Sequence, residues 1–312
     1  MKQLSNTAQQ IKNMDIRGAG KIARAAAAEL RDYSGRIGKG KLEEFNNKMI
    51  EAAQLLISTR PTAVSLPNAV RAVMRYKGDS VDEAKANIKE LADGFILNSE
   101  NALLKIGEIG AHRIRDGDTI MTHCNSNAAI SIMTAAHKDG KNINVIATES
   151  RPRWQGHLTI RQLDENGIKT SLIVDSAVRY FMKEVDLVVM GADAVTANGS
   201  VINKIGTSQL ALAAHEARKN VIIAAETYKF SRRSLLGELI EIEERNSSEV
   251  ITDEKLRELP NVSVKNPAFD VTPREYIDLI CTEVGAIPPE MAYIIIKDYL
   301  GWELGDMAEG VK

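Results

Sequence analysis

Residues 186–207 read DLVVMGADAVTANGSVINKIGT, and this stretch decides the fold class. Its apolar run at 187–190 is typical of a strand buried on both faces of a parallel sheet. The run leads to Asp193, and Lys204 precedes a helix that we predict over 205–218. Ligands of open α/β sheets bind outside the carboxyl ends of the strands, so both residues are candidate site residues. The segment alone equally allows a helix-capping Asp and a solvated Lys.

Strands and helices alternate on both sides of this stretch, from about residue 115 onward. Strands separated by helices of about 10–15 residues predict βαβ units. We therefore expect an α/β fold, a Rossmann-like parallel sheet with helices on both faces. The predicted strands are 118–122, 143–148, 171–174, 187–190, 221–225 and 262–264, and the predicted helices are 127–137, 157–166, 205–218 and 288–299.

The first part of the chain has helical periodicity and almost no strand pattern. Apolar residues recur on one face of each segment, as in amphipathic helices. Helices are predicted over 22–30, 42–57, 68–76 and 81–109, with breaks at Pro61 and Pro67. The sequence thus predicts two domains, an all-α N-terminal domain at 1–110 and a Rossmann-like catalytic domain at 111–312.

Composition excludes several classes of protein. The 312 residues are 44% hydrophobic, with a formal net charge of −2, so no basic field would recruit nucleic acid or an anionic membrane. No apolar run approaches the ~18 residues of a membrane span, and the first 20 residues lack the apolar core of a signal peptide. The two cysteines are far apart and form no disulfide or zinc pattern. We expect a soluble cytoplasmic protein with free thiols.

Polar side chains follow the predicted strands where each one ends. His123-Cys124-Asn125-Ser126-Asn127 follows the first strand, and an arginine-rich segment ending at Gln155 follows the second. Such a rim suits an anionic ligand rich in hydroxyl groups, for example a sugar phosphate. Cys124 precedes a helix start, which is expected to lower a thiol's pKa, although cysteine is more often a small buried apolar residue. Its polar neighbours favour the functional interpretation.

Two further segments are ambiguous from the residues alone. Arg17-Gly18-Ala19-Gly20 could present backbone N–H groups and a guanidinium to a phosphate, or could be an ordinary loop before a helix. Arg60 lies in a rigid basic turn that allows the same two readings. The five histidines lack the spacing of a metal site, and we expect most to be surface or capping residues and predict no metal.

Seven motifs together resemble one family. It comprises the α, β and δ subunits of initiation factor 2B, methylthioribose-1-phosphate isomerase and ribose-1,5-bisphosphate isomerase. The resemblance covers nearly the whole chain, and THCNSN together with RGAG running into Lys21 is most similar to the ribose-1,5-bisphosphate branch. The motifs are RGAG (17–20), TRPTA (59–63), THCNSN (122–127), ESRPRWQG (149–156), MGADAVTANGSVINKIGT (190–207), AAETYKF (224–230) and NPAFDVTP (266–273).

The resemblance implies roles for particular residues. The family's two catalytic positions match Cys124 and Asp193, which the strand ends already suggest. Arg17 and Arg60, which are ambiguous from the residues alone, match binding positions and become expected phosphate ligands, together with Lys204 and Lys229. The full set of substrate-binding residues that we predict is Arg17, Gly18, Ala19, Gly20, Arg60, Asn125, Ser126, Asn127, Gln155, Asn203, Lys204 and Lys229.

The implied reaction converts α-D-ribose 1,5-bisphosphate to D-ribulose 1,5-bisphosphate, in AMP degradation that feeds a ribulose-bisphosphate carboxylase. It needs one acid and one base, which we assign to a protonated Asp193 and to the thiolate of Cys124. Proton transfer alone completes the reaction, so no cofactor is expected. The expected partner is the phosphorylated sugar, and the resemblance implies a homodimer or a trimer of dimers.

Two other functions remain open within this resemblance. Methylthioribose-1-phosphate isomerase would use the same proton chemistry, but a methylthio group needs an apolar pocket where a 5-phosphate needs cations. Lys21, Arg24 and Arg60 favour the phosphate. A non-enzymatic regulatory subunit would have no need for a Cys and an Asp together at the sheet edge.

Overall fold

The computed structural model describes residues 2–60 and 62–301, so the predicted break at Pro61 lies outside the described residues. The chain divides into two compact units, residues 1–102 and 103–312. The sequence-based division at residue 110 into separate domains stays a prediction.

The first unit is built from helices, as the sequence predicts. Alanine-rich α2 packs closely with α4, and side chains such as Leu30, Phe45 and Met49 form its buried apolar core. An N-terminal helix that the sequence did not predict, α1, contributes Leu4, Ala8 and Ile11 to the buried residues. The helices are α1 (Lys2–Lys12), α2 (Ala19–Arg36), α3 (Leu42–Ser58), α4 (Ser65–Met74) and α5 (Val81–Ala111), the last of which continues into the second unit.

The second unit contains a sheet of seven strands in the order β10-β9-β7-β4-β1-β2-β3. All neighbouring pairs are parallel except β9 with β10. These strands are β1 (Thr119–Thr122), β2 (Asn144–Thr148), β3 (Lys169–Ile173), β4 (Leu187–Gly191), β7 (Asn220–Ala224), β9 (Leu279–Thr282) and β10 (Gly285–Ile287). The remaining strands, β5 (Ala194–Val195), β6 (Val201–Lys204) and β8 (Phe269–Thr272), form a small antiparallel sheet in the order β5-β6-β8.

Alternate residues of the large sheet enter two different apolar clusters. In β4, Val188 and Met190 belong to one cluster, whereas Leu187 and Val189 belong to the other. Successive side chains of a strand point to opposite faces, so the sheet is covered on both sides. The covering helices are α6 (Asn127–Lys138) and α7 (Gly156–Glu165) on one face and α9 (Thr207–Glu216) and α11 (Ala292–Tyr299) on the other; short helices lie at α8 (Val178–Phe181) and α10 (Asp253–Arg257).

The predicted Rossmann-like α/β fold with a preceding helical region is therefore confirmed. The strand predicted at 262–264 is wrong, because this segment is irregular, and the next strand of the chain begins at Phe269. The helix predicted over 288–299 begins with a 3₁₀ turn, and Lys204, which precedes the helix predicted over 205–218, ends the strand β6. None of the described helices has both the length and the apolar character that crossing a membrane requires.

Candidate active site

The order of the strands indicates where along the sheet a ligand is expected to bind. The chain proceeds from β1 through β2 to β3 on one side, and from β4 through β7 to β9 on the other. The direction of winding thus reverses between β1 and β4, and ligands of such sheets bind outside the carboxyl ends at this switch point. Cys124 follows β1 and Asp193 follows β4, so the two proposed catalytic residues flank the crevice.

The loop that carries Cys124 is held by its backbone. Cys124 has a left-handed φ of 66°, an uncommon conformation for a residue with a side chain. Its N–H donates to Ser150 Oγ at 2.7 Å, and its carbonyl accepts from Thr159 Oγ1 at 2.7 Å. The thiol donates to Gln155 Oε1 at 3.2 Å. The segment after β2 and helix α7 therefore fix where the thiol points.

His123 connects this loop to the turn after β6. Its Nε2 lies 2.8 Å from the carbonyl oxygen of Ile205, which can only accept, so this nitrogen carries the proton. Nδ1 then accepts from Thr148 Oγ1 at 2.6 Å. Burial lowers the pKa of His123, in keeping with a neutral ring. His123 is the exception to the expectation that most histidines are surface or capping residues, because its side chain is buried.

Burial raises the pKa of the Cys124 thiol to about 12, so the expected lowering of its pKa is wrong. Ser126 caps α6, accepting from Ala129 N at 3.3 Å, so Cys124 does lie just before a helix start, but burial has the larger effect on its thiol. The positive charge of Lys204 lowers the thiol's pKa without outweighing burial, and the negative charge of Asp193 raises it further. Cys124 therefore rests as a neutral thiol.

Lys204 lies at the end of β6 and is only 6% exposed. Its ammonium donates to Ala268 O at 2.9 Å and lies 5.1 Å from the centroid of the Phe269 ring. Burial lowers its pKa, while Cys124 and Asp193 act in the opposite direction. The thiol, the carboxyl and the ammonium therefore share one electrostatic environment, and the solvated alternative for Lys204 is excluded.

Two glycines permit the close packing around these groups. A Cβ at Gly191, the last residue of β4, would lie 2.2 Å from Ser126 Oγ. A Cβ at Gly206, whose φ is 103°, would lie 2.9 Å from a ring carbon of His123. Because neither glycine has a side chain, the loop after β1 can lie close to both the end of β4 and the turn after β6.

The remaining predicted residues of the second unit differ in their surroundings. Gln155 contacts the thiol directly, whereas Asn125 donates to Thr159 Oγ1 and Gln162 Oε1, both at 3.0 Å. Asn203 donates to Thr207 Oγ1 at 3.0 Å. The N-cap Ser126 and the exposed Asn127 complete the set.

Lys229 follows β7 and forms a buried ion pair with Glu226, with Nζ 2.7 Å from Oε2. Tyr228 also donates to Glu226, at 2.9 Å. Burial is the largest single effect and opposes ionisation of Glu226. The charge of Lys229 and the hydrogen bonds from Lys229, Tyr228 and the backbone together outweigh it and hold the pKa of this carboxyl below its ordinary value. No pattern in the sequence indicates that a buried carboxylate pairs with this lysine.

In the first unit, the predicted phosphate ligands gather around Met14. Arg17 Nε donates to Met14 O at 2.6 Å, and Arg60 Nη1 lies 2.8 Å from Met14 Sδ. Gly18, with a φ of 86°, precedes α2 and supplies no side-chain cap to the amides that begin at Ala19 and Gly20. The first N–H groups of α2 and the adjacent Arg17 are suited to binding an anion, and Arg60 contacts the same methionine as Arg17.

Arg24, which the sequence suggested as a further phosphate cation, instead bonds within the helical unit. Its Nη1 donates to Ser99 Oγ at 3.1 Å. Its Nε lies 4.0 Å from Glu100 Oε1. The argument for a 5-phosphate therefore rests on the other cations.

Asp270 on β8 is a residue of the NPAFDVTP motif that the sequence did not single out. Its Oδ2 accepts from Gly206 N at 2.7 Å and Ser208 N at 3.1 Å, so it caps α9. In the sequence, the feature that could have indicated Asp270 is its position as an acid between the apolar residues Phe269 and Val271. Within residues 2–60 and 62–301, no group of three or more His, Cys, Asp or Glu side chains could hold a metal ion.

Known proteins are similar to this chain over nearly its whole length. The ribose 1,5-bisphosphate isomerase of Archaeoglobus fulgidus is 58% identical over 302 residues, which cover 97% of this chain and 95% of that protein. The methylthioribose-1-phosphate isomerase of Acetivibrio thermocellus is 38% identical over 305 residues, covering 93% of this chain and 89% of that protein.

A solved structure has the same fold over nearly the whole chain. The translation initiation factor eIF-2B of Pyrococcus horikoshii superimposes with a TM-score of 0.78 at 30% identity, covering 93% of this chain and 98% of that one. The family model described as the initiation factor 2 subunit family matches residues 15–289. The chain belongs to the initiation factor 2 subunit family.

Proposed function

We propose that the chain is an aldose–ketose isomerase that converts α-D-ribose 1,5-bisphosphate to D-ribulose 1,5-bisphosphate. The observation that carries the proposal is the position of Cys124 and Asp193 on adjacent strand ends, with the charge of Lys204 acting on the thiol. The name of the relative with 58% identity, ribose 1,5-bisphosphate isomerase, supports the substrate.

The chemistry explains why a paired acid and base are needed. A phosphate on the anomeric carbon prevents the sugar from opening as a free aldose does. The ring oxygen must therefore be protonated as its bond to C1 breaks, and a proton must then leave C2. One group has to give a proton while another takes one, which requires two groups of different proton affinity.

Because Cys124 rests as a neutral thiol, the assignment of a thiolate base and a protonated Asp193 needs a proton transfer before the reaction. We propose that Cys124 and Asp193 share one proton, which passes from the thiol to the carboxylate when substrate is bound. Asp193 then protonates the ring oxygen, and the thiolate, favoured by Lys204, removes the C2 proton. The thiol returns this proton to C1 while Asp193 accepts the proton of the C2 hydroxyl, which leaves a thiolate and a protonated acid. The resting state is restored when the shared proton passes back from Asp193 to Cys124.

The phosphates would be bound by the cations and open amides of the candidate site. In the second unit we propose Lys204 as a phosphate ligand. In the first unit, Arg17, Arg60 and the amides after Gly18 stay the phosphate ligands that the family resemblance implies. Lys229 would have to leave, or share, its ion pair with Glu226 in order to reach a phosphate. Asn125, Ser126, Asn127, Gln155 and Asn203 would contact the sugar or hold the loops that do.

The test is an assay of the purified chain on two sugar phosphates. Ribose 1,5-bisphosphate, coupled to a ribulose-bisphosphate carboxylase, should give turnover at least about 10²-fold above that with methylthioribose 1-phosphate, because a lost phosphate leaves buried cations unpaired. The reverse preference would identify the chain with the methylthioribose enzyme. Inactivity on both would favour a regulatory subunit.

The AMP-degradation setting, the cytoplasmic location and the homodimer or trimer of dimers remain proposals as well. Light scattering of the purified chain measures the oligomer. A mass of one chain would contradict the proposed assembly.

A further inference from the structure

The turn that follows Lys204 is held from two sides. From β1, His123 donates to the carbonyl of Ile205, and from β8, Asp270 accepts the N–H groups of Gly206 and Ser208. The Asp270 carboxylate thereby takes the position at the start of α9 where an anion would otherwise bind. This helix terminus is consequently not available to a substrate phosphate.

Asp270 also interacts with Lys204 through its charge. Cross-strand pairing places Asp270 opposite Asn203 and Phe269 opposite Lys204. The charge of Lys204 lowers the pKa of Asp270. The other charged or ionisable groups that act on Lys204 are Cys124, Asp193, Arg245 and Glu249, of which only Arg245 opposes its protonation.

An ionised carboxylate is costly at this position. Asp270 Oδ1 is buried and makes no hydrogen bond within the part of the chain that the structure describes. Burial raises the pKa of Asp270 to about 6 despite the two backbone N–H donors. A neutral amide oxygen could accept the same two N–H groups without the cost of burying a charge. Capping alone therefore does not explain an aspartate.

We propose that Asp270 is a positioning residue for phosphate recognition, whose carboxylate fixes the turn after Lys204 and adds a negative charge that favours the protonated form of that buried lysine. It acts through Lys204 and does not touch the substrate. This inference rests on the proposed function, because it assigns Lys204 to a substrate phosphate. The inference goes further than the proposed function because it requires a negative charge at Asp270, which is not one of the predicted substrate-binding residues.

The test compares Asp270→Asn with Asp278→Asn. Asp278 is a matched control because its Oδ2 also accepts a backbone N–H, that of Val221 at 2.7 Å, but at the amino end of β7. Asp270→Asn retains an oxygen for Gly206 and Ser208 and loses only the charge. We expect its KM for ribose 1,5-bisphosphate to rise about tenfold with kcat within about threefold of wild type, and Asp278→Asn to change KM less than about twofold.

The pH profile separates a role of charge from a merely structural one. Below about pH 6 Asp270 becomes protonated in the wild type, so the KM difference between wild type and Asp270→Asn should narrow there. A wild-type KM in Asp270→Asn at pH 8 would overturn the inference. An equal rise in Asp278→Asn, or a difference that is constant from pH 5 to pH 8, would do the same.

The experiments distinguish failure of the proposed function from failure of the inference about Asp270. A wild-type chain inactive on ribose 1,5-bisphosphate would overturn that function before any variant is compared. Calorimetric titration with inorganic phosphate would then test Asp270 directly. Weaker binding in Asp270→Asn than in wild type would support the positioning role, and equal affinity would overturn it.

Discussion

His123 donates its Nε2 proton to the carbonyl of Ile205 at 2.8 Å, and this bond joins the residue before Cys124 to the residue after Lys204. The thiol and the ammonium belong to strands far apart in sequence, yet one buried side chain sets their relative position. The charge of Lys204 can act on the thiol because this connection keeps the two loops together.

The reactivity of Cys124 should report this arrangement. With a pKa of about 12, the thiol should be alkylated by iodoacetamide at pH 8 about 10³-fold more slowly than a free cysteine of pKa about 8.5. Removing the positive charge by Lys204→Met should raise the pKa and slow the reaction further. The measurement is alkylation rate against pH in a Cys281→Ser background.

Exposed Lys183 provides the control, since Lys183→Met should leave the rate unchanged. A rate that levels off below pH 9 would contradict the raised pKa. Faster alkylation in Lys204→Met would contradict the assigned effect of the lysine.

The close approach of Gly191 to Ser126 gives a prediction for stability. Gly191→Ala places a methyl group 2.2 Å from Ser126 Oγ, and such overpacking should cost about 1–3 kcal/mol of unfolding free energy. It should also lower kcat, because Ser126 and Cys124 share a loop. Urea unfolding and the isomerase assay measure the two effects.

Gly94→Ala is the matched substitution, since no atom lies within 4 Å of the added Cβ in helix α5. It should stabilise the chain by about 0.5–1 kcal/mol, as alanine does in helices. Equal effects of the two substitutions would show that the contact with Ser126 is unimportant.

The buried pair of Glu226 and Lys229 should matter for folding as well as for binding. Glu226→Gln leaves the lysine charge buried without its carboxylate, which should cost about 3–5 kcal/mol. The pKa of Glu226 is lowered, so the wild-type advantage should be present at neutral pH and shrink as the pH falls below about 4.5. Denaturant unfolding at several pH values measures it.

A surface pair provides the comparison. Arg179 and Glu216 lie 3.3 Å apart, with side chains 84% and 49% exposed, so Glu216→Gln should cost only about 0–1 kcal/mol. If Glu226→Gln lowered the unfolding free energy no more than Glu216→Gln does, the buried ion pair would not contribute to stability.

Much of the large sheet was predictable because its central strands are continuous apolar runs. β1, β2, β3, β4 and β7 were predicted within a few residues, whereas β9 and β10 of the large sheet and all three strands of the small sheet were missed. Valines alternating with a polar residue at 262–264 favoured a strand, but nothing pairs with this segment in the described structure. Short strands depend on distant partners, which local pattern does not reveal.

Some features of the candidate site were likewise predictable from the sequence, and others were not. Cys124 and Asp193 follow predicted strands, so their convergence followed from the topology rule alone. The roles of His123 and Asp270 depend on bonds to residues 82 and 64 positions away. The pKa of Cys124 depends on burial by the whole unit, and the local helix argument therefore gave the wrong direction.

The central claim is that Cys124 and Asp193 transfer the protons of an isomerisation. The most direct test is the turnover of ribose 1,5-bisphosphate by Cys124→Ser and Asp193→Asn, with substrate affinity measured by calorimetry on the same preparations. We predict that each variant loses at least about 10³-fold in kcat and binds the substrate within about threefold of wild type. A Cys124→Ser variant that retains most of the wild-type kcat would contradict the claim.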